Sequence, residues 1–151
     1  MTGMGYQRPR ALYRNGNLEL LQRALELGEF RLQPHENCLT LGFSMKPEVA
    51  LAGSSKDACL IIHQPEAFGE QLHRAVARVL PNWAGIDGAV EYGKKSRLGA
   101  TFSKNAALSH EKEWLFAWRP MQAAGLLQPL VIQMGDVRQW AELRANDTYL
   151  N

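Results

Sequence analysis

Three short stretches of this chain carry side chains whose types and spacing could do chemistry. Leu12-Tyr13-Arg14-Asn15-Gly16 places an arginine at the end of an apolar run, and Leu41-Gly42-Phe43-Ser44 ends another on a serine. His110-Glu111-Lys112-Glu113-Trp114-Leu115-Phe116 opens a third with two carboxylates one residue apart. The planar fork of an arginine grips phosphate oxygens at two points. A carboxylate can bond a ribose hydroxyl and stabilise positive charge developing at a sugar carbon. A strand-end serine can orient that carboxylate. Residues two apart on a strand face one side, so a strand beginning at Glu111 would set Glu111 and Glu113 side by side. Their repulsion then calls for a nearby cation or donor. The same residues also read as a solvated strand entry, Arg14 as a surface arginine and Ser44 as a helix N-cap.

The elements that must hold these residues follow from periodicity and punctuation. Residues 11–14 read as a strand closed by the turn pair Asn15-Gly16. Asn17 can cap a helix carrying Leu18, Leu21 and Leu25, which Gly28 stops. Residues 29–33 are extended, 38–44 and 58–63 read as strands, and 46–52 can make one or two helical turns. The strongest helix runs over 66–80, with Phe68, Leu72, Val76 and Val79 on one stripe and Pro81 after it. Strands are expected at 89–92, 100–103, 113–119 and 126–134, and a last short helix at 137–144. Helices first and strands later is an α+β order.

Size and composition bound the rest. The 151 residues suit one domain, 46% hydrophobic and 21% charged, as a folded protein should be. The formal charge is only +2, so bulk electrostatics would not hold nucleic acid. Local clusters remain, namely Arg8, Arg10 and Arg14 near Tyr6 and Tyr13, and Lys94-Lys95-Ser96-Arg97, which suit an RNA-binding module. No apolar run approaches the roughly 18 residues of a membrane span, and the start does not read as a secretory signal, so a cytoplasmic protein without membrane contact is expected. Cys38 and Cys59 read as small buried hydrophobes, with a disulfide between them left open. The four histidines are scattered, so no metal site is expected. Neither a GxGxxG nor a GxxxxGK[ST] string is present.

Taken in order, the three stretches resemble the Arg–Ser–Glu branch of the ADP-ribosyltransferase superfamily, in a small bacterial toxin-like form. Arg14 matches the arginine of the first strand, Ser44 the last serine of the serine strand, and Glu111-Lys112-Glu113 the Glu-x-Glu pair. Gly42 stands where the branch carries its first serine, with Thr40 on the same side as a substitute. The resemblance implies two small packed antiparallel or mixed sheets with an NAD cleft between them. NAD would be the ADP-ribose donor. Arg14 would hold its diphosphate, with Tyr13, Phe43 and Ser44 also at the cofactor. Glu113 would contact the nicotinamide ribose, Ser44 would support Glu113, and Glu111 would position or deprotonate the acceptor. Lys104 and His110 would face that acceptor. Phe43, Tyr92 and Phe102 are unranked candidates to stack on nicotinamide. The implied partners are a macromolecular acceptor, protein or structured RNA, and an immunity protein covering the cleft. The implied setting is a toxin or effector acting in the cytoplasm of a target cell after delivery. An NAD glycohydrolase and a non-catalytic RNA-binding module are the competing readings.

Overall fold

A computed structural model describes residues 7–47 and 56–145. Strand β1 (Leu12–Gly16) leads into helix α1 (Leu18–Leu27), followed by β2 (Glu29–His35) and β3 (Cys38–Ser44). Then come β4 (Ala58–Ile62), helix α2 (Pro65–Val79), β5 (Trp83–Ala89), β6 (Glu91–Tyr92) and β7 (Ser103–Lys104). The chain continues through β8 (Glu113–Pro120), β9 (Leu130–Gln133) and β10 (Ala141–Ala145). The expected α+β order holds: among the described residues both α-helices are complete by residue 79, and mainly strand follows.

Local chemistry explains the helices. Asn17 accepts the Leu20 N–H at 3.2 Å and caps α1. Gly28 ends α1 in the left-handed region at φ 62°, where a side chain would also strike the backbone of Gly135. In α2, Pro65 occupies the first turn, and Phe68, Leu72, Ala75 and Val76 are buried on one stripe.

Eight strands form one branched antiparallel sheet, and β6 and β7 pair separately in parallel. This differs from the expected pair of packed sheets. The hub is β3. One of its edges pairs with β8 from Leu39↔Trp118 to Ser44↔Glu113, and β8 pairs in turn with β5. Its other edge is divided: β2 pairs with Cys38, Leu39 and Thr40, whereas β1 meets it at Tyr13↔Ser44. Beyond the division, β1 continues into β4 and β10, and β2 into β9. The sheet is therefore split beside residues 41–43 of β3.

Beneath the split lies an aromatic core. Phe30, Phe43, Phe68 and Phe116 meet edge-on, with centroids 5.6–6.4 Å apart. On β8, Trp114, Phe116 and Trp118 join this core, while Leu115 and Ala117 on the opposite face join a smaller one with Cys38, Val90 and Phe102. Both cysteines are free thiols, so the disulfide left open by the sequence does not form.

Several expected elements change. The expected strand at 100–103 is a short 3₁₀ turn (Ala100–Phe102) that only then enters β7. Gly99 at φ 106° turns the chain, and Thr101 and Phe102 are both buried, which a one-faced strand would not allow. The expected helix at 137–144 is instead a turn at 138–140 followed by strand β10, which pairs with β4 from Ala141↔Ile62 to Ala145↔Ala58. Strand β1 runs on through Gly16, where a turn was expected. The strand expected over 126–134 shortens to β9. The helical turns expected over 46–52 lie, from Glu48 onward, outside the described residues.

Candidate active site

The split gives the candidate site its position. Where neither β1 nor β2 pairs with β3, the Arg14 side chain reaches across and its Nη1 donates to the Gly42 carbonyl at 2.6 Å. Its guanidinium lies 5.9 Å from the centroid of the buried Phe43 ring, within cation–π range. An arginine thus satisfies backbone that a continuous sheet would have paired. Burial pulls the Arg14 pKa down, and the charge of Glu113 opposes that pull.

Glu113 opens β8 directly opposite Ser44. Its backbone is fixed twice, by its N–H donating to the Tyr92 hydroxyl at 2.9 Å and its carbonyl accepting Val90 N–H at 3.0 Å. Its carboxylate leans over Gly42, where any Cβ would collide with Oε2. That contact accounts for a glycine at this position: the carboxylate occupies the side-chain space. The cation required beside Glu113 is Lys104, whose Nζ lies 2.5 Å from Glu113 Oε1. Burial works against the Lys104 charge, but the hydrogen bond and charge of Glu113, with Glu111 beyond, prevail and raise its pKa.

Glu111 arrives differently from expectation. It ends a 3₁₀ segment (Ala106–Glu111), and Lys112 at φ 46° reverses the chain before β8 begins. Glu111 and Glu113 are therefore not neighbours on one strand face, yet both line the same cleft of about 230 Å³ with Tyr13, Arg14 and Ser44. Ser44 also departs from its expected role. Its hydroxyl is placed to donate to the carbonyls of Lys46 (2.8 Å) or Glu111 (3.2 Å), so it ties the two rims of the cleft together. The side chain that holds Glu113 is Lys104.

A second depression of about 350 Å³ shares Arg14, Gly42, Lys104 and Glu113 with the first, and adds Arg31, Gln33 and His35 from β2. The two chambers meet at the Arg14–Glu113 divide. Arg31, absent from the sequence reading, carries the right signal: it alternates with Glu29, Gln33 and His35 on the exposed face of β2.

The aromatic candidates sort by burial. Phe43 and Phe102 are 3% and 1% exposed and belong to the two cores, so neither offers a free face. The hydroxyl of Tyr92 serves the Glu113 backbone, and Tyr13 alone of the named rings lines the cleft without a core role. Lys104 is committed to Glu113, and His110 sits on the exposed 3₁₀ segment before β8. Of the basic cluster near the start, Arg8 and Arg14 are not a solvated patch: Arg8 is clamped on Asp87 and Glu66, and Arg14 fills the split.

Among the described residues, no group of histidine, cysteine or acidic side chains could hold a metal ion, and no helix is long and apolar enough to cross a membrane. No protein-family model, curated protein or solved structure matches this chain.

Proposed function

We propose that this chain is an NAD-dependent mono-ADP-ribosyltransferase, a toxin or effector domain acting on a macromolecular acceptor. The observation that carries the reading is that Arg14, Ser44, Glu111 and Glu113, from three separate segments, line one cleft at the split of the sheet. In this reading NAD spans the two chambers. Arg14 spends one N–H on Gly42, and its remaining donors face the diphosphate together with Arg31. Tyr13 stacks on the nicotinamide. Glu113 accepts a hydroxyl of the nicotinamide ribose and stabilises the cation that forms as the glycosidic bond breaks. The bonding electron pair leaves on the nicotinamide nitrogen, which becomes neutral. The acceptor nucleophile then bonds the ribosyl carbon and loses its proton to Glu111.

Lys104 has two tasks. It neutralises Glu113 while the cleft is empty, and it yields that carboxylate oxygen to the ribose when NAD enters. Incubating the protein with labelled NAD and cell lysate tests the reading. Label is expected on a protein or RNA, in step with nicotinamide release. Nicotinamide release without any labelled acceptor would make the chain a glycohydrolase. Salt-sensitive RNA binding with no NAD turnover would make it an RNA-binding module.

A further inference from the structure

A third recess lies on the same face of β8 as Glu113 but at its other end. Residues 113, 115, 117 and 119 alternate onto this face, so Arg119 stands about 20 Å along the strand from Glu113. The recess has a volume of about 380 Å³, within the range of small-molecule pockets. Its walls are apolar: Ile86 on β5, Ala117 on β8, and Leu98 and Phe102 on the turn before β7. Gly88 lacks the side chain that would collide with Leu98, so Leu98 can close one wall. Ile86 remains 41% exposed and Met121, at the mouth, 69%, so apolar surface is left open to water.

One charge borders this recess. Arg119 is exposed at its edge, no acidic residue shares the lining, and Arg119 forms no ion pair among the described residues. An apolar chamber with a single unpaired cation at its rim selects a molecule of matching pattern. We infer that this recess binds a small apolar carboxylate, its hydrocarbon part against Ile86, Leu98 and Phe102 and its carboxylate on Arg119. The inference does not rest on the transfer reaction, since none of these residues lines the NAD cleft.

Titration with octanoate, octan-1-ol and octylamine at pH 7.5, followed by calorimetry and amide NMR, tests it. Octanoate is expected to saturate with an affinity of roughly millimolar or somewhat better, typical for a ligand of this size. Octan-1-ol should bind about tenfold more weakly and octylamine more weakly still. Arg119→Ala should reduce octanoate to the level of the alcohol. Ala84→Trp fills the recess from the exposed side of an edge strand and should abolish binding with the thermal midpoint unchanged. Binding that ignores both substitutions, or no saturation at several times the expected concentration, overturns the inference. Self-association of the chain that Ala84→Trp blocks, without octanoate binding, would overturn it in favour of a second copy as occupant.

Discussion

Two charged clusters flank strand β8, and they are built on opposite principles. On the helix side, Asp87 accepts Arg8 Nε and Nη2 at 2.8 and 2.9 Å, His73 Nε2 at 2.8 Å and Trp114 Nε1 at 2.9 Å. Those contacts fill the roughly four acceptor positions of a carboxylate. Trp118 Nε1 donates to His73 Nδ1 at 3.0 Å. Because an indole N–H can only donate, His73 is the neutral tautomer with its proton on Nε2, facing Asp87. Burial alone would raise the Asp87 pKa, but hydrogen bonds from His73 and Arg8, the Arg8 charge and Trp114 hold it well below the ordinary carboxylate range. On the cleft side, the half-buried Arg14, Lys104, Glu111 and Glu113 line one cleft where β3 is left unpaired. The first cluster has no capacity left and joins the approach to β1 with α2 and β5. The second keeps capacity, which is what a reacting site needs.

Substitutions can separate the two. Glu113→Gln removes charge but keeps shape, so transfer should fall about a thousandfold in a steady-state NAD assay while the thermal midpoint barely moves. Asp87→Asn should do the reverse. Leaving the half-buried Arg8 with only the exposed Glu66 as a charge partner costs about 3 kcal/mol, read as a thermal midpoint roughly 6–12 °C lower, with turnover per folded molecule unchanged. The comparison fails if Asp87→Asn loses activity without losing stability.

Smaller effects sharpen it. Arg14→Ala should weaken NAD affinity about tenfold by calorimetry, and an unchanged affinity would move the phosphate role to Arg31. Gly42→Ala displaces the Glu113 carboxylate from its bed, so activity should fall by about one order of magnitude with NAD affinity nearly intact. Acid unfolding carries the last distinction. The folded pKa of Asp87 is depressed, so its contribution is full above about pH 4, the unfolded carboxylate value, and is lost as pH falls through the folded pKa. Asp87→Asn should flatten that acid limb of the stability profile, measured by urea midpoints between pH 2 and 5. Glu113→Gln should leave most of it in place.

The cleft was more legible in the sequence than the cluster behind it. Arg14, Ser44 and the two glutamates announce themselves as polar residues at the ends of apolar runs, and β3, β8, α1 and α2 follow from alternation, caps and stripes. Strand β5 hid because Gly85 and Gly88 break the alternation by which a strand is recognised. Gly85 is a glycine because Trp118 and His73 press on it, and Gly88 because Leu98 does. Gly69 likewise clears room for Arg8. Such requirements belong to tertiary neighbours and leave no periodicity. One signal was available: Asp87 is the only carboxylate in the run Gly85-Ile86-Asp87-Gly88-Ala89-Val90, a setting in which it must be paired. The role of Ser44 was misread for a related reason, since its bonds go to carbonyls of the turns around it and not to a side chain.

The most direct measurement is nicotinamide release from NAD by the purified protein and its Glu113→Gln variant, with lysate supplied as acceptor and folding verified by thermal melts. The account predicts release by the native chain, coupled to labelling of the acceptor, and a loss of about a thousandfold in the variant at an unchanged melting temperature. Equal release by the two proteins, or none from the well-folded native chain, would contradict it.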